Sequence, residues 1–302
     1  MNLKDLEYFT ELAREGSFTK VAERFHISQP TVTYAVKRLE DALGTDLIVR
    51  DRSHKTVVLT QAGRILNIHA AKIFKEIEVA ENEISRSQED IIQLGLPPII
   101  GNFYLRKLFP SLSERGLADR IHLVNGGSND LYHLLIKGEI DMALLGSVYP
   151  IHDENLTDRL LIRSRFTIVV NDRHPLAKRK SISMGDVKDE KFVLLDSHYV
   201  HLNAFRKFLQ FESFEPKIIY KSKDLSILKG LIREGVGIGF LTELAKDPAD
   251  GLIYLPIDNE PQLHFNVSLA QRKDPMKSNC GRQIFESICS SYGSEQTNIE
   301  GN

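Results

Sequence analysis

The chain has no tryptophan, only two cysteines among 302 residues, and a formal net charge of −2. Each shortage excludes a class of protein. Cys280 and Cys289 form no disulfide framework and no metal-ligand spacing, which points to a reducing compartment. A near-neutral charge balance argues against coating nucleic acid broadly, so any contact with DNA must be local. No apolar run is long enough to span a bilayer. The first residues, Met-Asn-Leu-Lys-Asp-Leu-Glu, lack the apolar stretch of a secretion signal, and the expected location is the cytoplasm. His69, His122, His174 and Asp172 show no metal spacing, and no Gly-x-Ser-x-Gly nucleophile turn occurs. No cofactor is expected. Gly235-Val-Gly-Ile-Gly lacks the preceding strand and following helix that a dinucleotide loop needs. The residues therefore give no support for an enzyme.

What is present is concentrated near the amino end. Phe18, Val21, Ala22 and Phe25 recur at spacings of three and four and share one helix face. Ser17 precedes them as a candidate N-cap. Ser28 is the next candidate cap, with Pro30 in a first turn where its missing N–H costs little. Val32, Val36, Leu39 and Leu43 make a second apolar stripe, closed by Gly44. Ile27 fills the corner between the two helices, and Leu3, Leu6, Phe9, Leu12 and Ala13 form a helix packed on the pair. The face opposite the second stripe carries Gln29, Thr31, Thr33, Tyr34 and Lys37, where a helix-turn-helix reads base edges. Asp46–Arg50 and Thr56–Leu59 then read as two short strands, making the motif winged. Arg50, Arg52 and Lys55 lie near the hairpin, suited to phosphate or minor-groove contact. Spacing alone also allows an ordinary all-α domain with a solvated polar face. Residues 1–60 hold nine Lys+Arg and nine Asp+Glu, so local charge does not decide the matter.

Residues 3–63 resemble the DNA-binding domain of LysR-type transcriptional regulators. The matching marks are Phe-Thr-Lys-Val-Ala, His-Ile-Ser-Gln-Pro-Thr-Val-Thr, Leu-Glu-Asp-Ala-Leu-Gly, Leu-Ile-Val-Arg and Val-Leu-Thr-Gln-Ala-Gly. Ile48 stands where the family usually has Phe, Phe25 where it has Leu, and Tyr34 where a long polar residue is common. The resemblance implies Phe18, Thr19, Ser28, Gln29, Pro30, Thr31, Thr33, Tyr34, Lys37, Arg50, Arg52 and Lys55 as the DNA-contacting set. It also implies a homodimer, often doubled to a homotetramer. For an activator, RNA polymerase becomes a partner. Within the family, Thr-Val-Thr-Tyr-Ala-Val-Lys-Arg-Leu-Glu looks like activators of malolactic-fermentation genes, which implies malate as inducer.

The expected organisation is a winged helix-turn-helix over 1–59, a linker helix over 60–89, and an effector domain over 90–302. Leu66, Ala70, Ile73, Ile77, Ala80 and Ile84 form a heptad seam on the linker, capped by Thr60. The helix reads over residues 60–87, roughly 42 Å, and its seam needs a partner. Its own domain is one candidate; a second copy is favoured, because paired recognition helices must reach grooves about 34 Å apart. From Ile91 onward strands and helices alternate, predicting an α/β fold with parallel sheets, in which 103–112 reads as a helix that Pro110 weakens. The family resemblance implies a two-lobed effector domain like periplasmic solute-binding proteins. Lobe I spans 90–163 and 266–292, lobe II spans 164–265, and a tail covers 293–302.

Ligands in open parallel sheets sit at the carboxyl ends of strands. Those ends supply Pro98, Ile99, Asn125, Ser128, Asn129, Gly146, Ser147, Ser197, His198, His201, Lys223 and Thr242. Ser128 stands out as a helix cap whose N-terminus offers N–H groups to an anion. His198, His201 and Lys223 would add positive charge, although a surface loop is a better reading of the two histidines than a ligand role. The expected function is a transcription factor whose state is set by a small organic acid. The alternative is a stand-alone sensor without promoter-specific action.

Overall fold

The computed structural model describes residues 1–51, 56–86, 91–210, 212–258, 263–273 and 279–291. The chain divides into two compact units, residues 1–81 and 82–302. In the first unit, α1 (Leu3–Glu15) is capped by Asn2 and ends at Gly16, which adopts a left-handed φ of 65°. Ser17 caps α2 (Phe18–Arg24) by accepting from the Lys20 N–H. Ser28 caps α3 (Gln29–Leu43) by accepting from the Thr31 N–H, and Gly44 closes that helix. Strands β1 (Ile48–Asp51) and β2 (Thr56–Leu59) pair antiparallel, with Ile48 opposite Leu59. Thr60 accepts from the Gly63 N–H at the start of α4 (Gln61–Arg86).

The apolar stripes meet as their spacing requires. Phe9, Leu12, Val21, Val32, Val36, Leu39 and Leu47 are buried, with Ile27 and Phe25 packed at the margin. Burying such side chains contributes ~1.5–3 kcal/mol each. Asp5 is also buried, and Arg38 of α3 donates to both its oxygens, through Nε at 2.9 Å. That pair ties α1 to the back of α3.

In the second unit, β3 (Ile92–Leu96) leads into α5 (Pro98–Glu114), β4 (Ile121–Asn125), α6 (Ser128–Ile136) and β5 (Met142–Ser147). The long strand β6 (Leu156–Asn171) follows, then β7 (Lys191–Leu195), α7 (Val200–Leu209), β8 (Lys217–Ser222) and α8 (Leu225–Arg233). Strands β9 (Gly239–Thr242), β10 (Leu252–Pro256) and β11 (His264–Arg272) precede α9 (Asn279–Ser290).

The sheets are mixed, and this corrects the parallel expectation. β3 is parallel to β4 and β5, but β11 runs antiparallel to both β5 and β6. β6 pairs β11 through residues 156–165, then β9 and β10 through residues 166–171. One strand therefore serves both lobes. β7 and β8 form a parallel pair. Pro110 lies inside α5 and does not end it. α5 continues to Glu114, with Leu108 and Leu112 buried on either side of the proline. The glycine run at 235–239 serves close packing. A side chain at Gly237 would meet the Lys191 carbonyl oxygen at 2.6 Å. Among the described residues no helix is long and apolar enough to cross a membrane, and no cluster of metal-ligating side chains occurs.

Candidate functional site

The structure places the two candidate sites in separate units. On α3, Val32, Ala35, Val36 and Leu39 face the core, which turns Gln29, Pro30, Thr31, Tyr34 and Lys37 outward. Ser28 is exposed and Thr33 half-buried. Tyr34 is a large ring left 63% exposed. The polar groups are not loose. The Gln29 side-chain amide donates to the Thr33 hydroxyl at 2.8 Å, and the Ser28 and Thr31 hydroxyls lie 2.8 Å apart. A tethered amide on an exposed helix face is a preorganised hydrogen-bonding group. Thr19 is exposed at the start of α2, whereas Phe18 is half-buried and packs on the unit's core. Arg50 lies on β1 opposite Val57. Arg52 and Lys55 lie outside the described residues.

The second site gathers where strand ends of both lobes converge. Ser128 is 6% exposed. It is not the cap of α6, a role taken by the Gly127 backbone. Ser128 is the first helical residue, and its hydroxyl accepts from the Gly146 N–H at 2.9 Å. Gly146 has no room for a side chain, since a Cβ there would sit 2.4 Å from the tip of the Phe265 ring and 3.2 Å from the Ser128 oxygen. The Ser147 hydroxyl is buried without a hydrogen-bond partner among the described residues. Thr242 is buried and bonds the Ser164 hydroxyl at 2.9 Å.

His201 departs from the surface position allowed by its sequence context. It lies in the first turn of α7, 2% exposed, and neither ring nitrogen has a partner among the described residues. The rings of Phe265 and Phe166 stand 5.2 and 5.8 Å from it. Burial holds its pKa down to about 3, so the imidazole is neutral. The expectation that His201 adds a positive charge is thereby corrected. Lys223 also contributes no charge to the interior. Its side chain is exposed, while its carbonyl accepts from the Tyr199 hydroxyl at 2.8 Å.

At the rim, the start of α6 meets the segment after β7. His198 pairs with Asp130 at 2.8 Å, and the Asn129 amide donates to the Ser197 carbonyl at 3.2 Å. A Cβ on Gly127 would approach the His198 carbonyl oxygen to 2.1 Å. Asn125 is exposed at the end of β4. Pro98 is half-buried in the first turn of α5, and Ile99 packs into the lobe II cluster with Val169, Leu195, Tyr199 and Leu241.

Sequence reasoning missed Ser164, Phe166, Phe265 and Asn266. The strand-end rule presumes parallel strands. β11 is antiparallel to β5, with Asn266 opposite Ser147, so its amino end lies beside the carboxyl end of β5. Ser164 and Phe166 lie midway along β6, where that strand changes partners from β11 to β9.

Comparison with known proteins finds matches for both units of the chain. The profile "Bacterial regulatory helix-turn-helix protein, lysR family" matches residues 3–64. The profile "LysR substrate binding domain" matches residues 85–288. A malolactic fermentation system transcriptional activator of Lactococcus lactis subsp. lactis (strain IL1403) is 34% identical over 287 residues, 95% of this chain and 97% of that protein. Full-length BenM is 25% identical, with a TM-score of 0.54 over 97% of each chain. The effector binding domain of QuiR, solved in complex with shikimate, shares the fold. It has a TM-score of 0.58 and 20% identity, covering 67% of this chain and 96% of that one.

Proposed function

The chain belongs to the LysR family of transcriptional regulators, and from that membership we propose which residues read DNA and what sets the regulator's state. The exposed face of α3 carries the reading. Gln29, held by Thr33, together with Thr31, Tyr34 and Lys37, meets base edges and phosphates in the major groove. Arg50 on β1 adds a backbone contact from the wing. The observation that carries this reading is the division of α3 into a buried apolar stripe and an exposed, internally tethered polar face. The helix-turn-helix profile removes the stand-alone sensor as an alternative, and relatives that are transcriptional regulators place the chain outside enzyme catalysis.

The second unit binds a small organic acid, and malate is the first candidate because a relative carries a malolactic-fermentation name. The start of α6 and the hydroxyls of Ser128 and Ser147 supply donors. Effector occupancy favours one arrangement of the lobes. In a dimer or tetramer, that arrangement alters half-site spacing and DNA bend. The regulator acts in the cytoplasm on promoter DNA, and as an activator it engages RNA polymerase.

The test is a footprint and bend-angle measurement on the DNA upstream of its own gene, with and without saturating L-malate or related acids. Protection of two half-sites, with an acid-dependent change in bend, is the expected result. Identical footprints and bends in every acid would overturn the effector reading, and no protection anywhere would overturn the DNA-reading assignment.

A further inference from the structure

His201 is the buried group that an architectural role does not explain. A buried imidazole with both nitrogens unbonded forfeits ~1–3 kcal/mol for each unsatisfied group, and a phenylalanine or leucine would fill an aromatic enclosure without that cost. Phe265 ties His201 to the end of β5. Its ring packs on His201 at 5.2 Å, its tip touches Gly146, and Ser128 bonds that glycine's N–H. His201, Phe265, Gly146 and Ser128 at the start of α6 thus form one contiguous series of contacts, and none of these residues carries a permanent charge.

We propose that His201 recognises the carboxylate of the effector and takes up one proton as that carboxylate binds. The inference rests on the effector reading above and adds the residue and the linked proton. A carboxylate entering this enclosure loses its water and meets no cation. A neutral imidazole offers it one N–H. A protonated one offers two donors and a balancing charge, so the anion and the proton stabilise each other where neither is stable alone. The balance is simple: carboxylate, neutral imidazole and one proton from buffer give a carboxylate–imidazolium pair.

The surroundings leave the proton to the ligand. Phe166 from β6, Phe265 from β11 and Tyr199 from the preceding turn provide the rings around His201. The charged groups on those elements are turned elsewhere. Arg165 pairs with Glu243, and His198 with Asp130. Asp196 accepts from the His198 N–H. His264 is half-buried beside Phe265, Arg206 of α7 is exposed, and Lys207 lies over the Tyr149 ring at 4.9 Å. Burial alone accounts for the neutrality of His201.

The experiment uses the full chain and acetate, L-lactate, succinate, L-malate and citrate as probes, with wild type, His201→Gln and His201→Phe. Affinities are measured by calorimetry at pH 6.5 and 7.5. Proton uptake comes from paired titrations in HEPES and Tris at pH 7.5. The expected result is an acid that wild type binds about tenfold more tightly per unit fall in pH, with close to one proton taken from the buffer. His201→Gln, which donates but cannot be protonated, binds that acid weakly, equally at both pH values and without proton uptake. His201→Phe binds it more weakly still, with a cooperative melt showing that it is folded. Should His201→Phe not fold, the glutamine variant and the wild-type proton count decide the matter. An acid that wild type binds with no proton uptake and under twofold change across pH overturns the role of His201 and leaves the effector reading intact. So does a His201→Gln variant that keeps the pH dependence. If wild type binds none of the acids, both fall.

Discussion

At the residue scale, the arrangement of Gln29 governs what α3 can read. Its amide nitrogen is held by Thr33, which leaves the carbonyl oxygen and one N–H aimed outward, a pattern that matches adenine in the major groove. Gln29→Ala is expected to cost roughly 1–3 kcal/mol of discrimination between the operator and a mismatched site. Thr33→Val removes the tether while leaving the amide, and is expected to cost less. Competition binding against random DNA checks both, and equal losses on specific and random DNA for Gln29→Ala would contradict base reading. His201 gives a second prediction, for the effector-free protein. Its folded pKa of about 3 lies below the ordinary histidine value. The unfolded chain therefore binds the extra proton as pH falls below about 6.5. The stability tied to the neutral form is fully present above that pH. It is lost at up to ~1.4 kcal/mol per pH unit as pH falls toward 3. Denaturant midpoints of the full chain between pH 4 and 7 are expected to fall more gently in His201→Phe than in wild type. Parallel slopes would show that the imidazole is not buried in solution.

At the scale of elements, the sequence announces its helices better than its sheets. Ser17, Ser28, Gly44 and Thr60 act as expected at the helix ends, because a cap is a local event between residues two to four apart. Strand partners are chosen by tertiary context. The period of β11 could not say that it would run antiparallel to β5, and that direction brings Phe265 and Asn266 into the site. His201 was legible as a strand-end neighbour but not as a buried group. Its burial depends on Phe166 and Phe265, rings from distant strands. Gly127 shows the same limit, since its need for glycine comes from a carbonyl 71 residues later in the chain. Gly127→Ala would place a Cβ 2.1 Å from the His198 oxygen, and backbone must shift to admit it. The expected outcome is separation of the α6 start from the 197–198 segment, so that the Asp130–His198 pair and the Asn129–Ser197 hydrogen bond break together. Faster hydrogen exchange at residues 127–130 and 197–201 checks this, while β3 and α9 keep their protection. Unchanged exchange at the rim would mean that this junction does not hold the lobes.

At the scale of the whole molecule, a single recognition helix covers too little DNA for an operator to be found among competing sequence, so presentation in pairs becomes decisive. The helix α4 supplies the surface for pairing. Ile73, Ile77 and Ala80 line a trough of about 440 Å³ along one side, bordered by His69, Lys72 and Glu76. Apolar side chains flanked by charged ones at these spacings match a coiled-coil seam with its charged margins. A helix of 26 residues reaches roughly 39 Å, comparable to the ~34 Å between successive major grooves on one face of DNA. Ile73→Lys with Ile77→Lys places two like charges where a second copy would put its own, and removes the apolar surface whose burial offsets desolvation. Sedimentation velocity is expected to show the double variant one step lower in assembly than wild type, with each helix-turn-helix still folded by circular dichroism. Operator affinity is expected to fall by at least tenfold, because two linked binding events become one. Affinity for a single half-site is expected to hold, since α3 is untouched. A double variant that sediments as wild type and keeps full operator affinity would assign the pairing surface to another part of the chain.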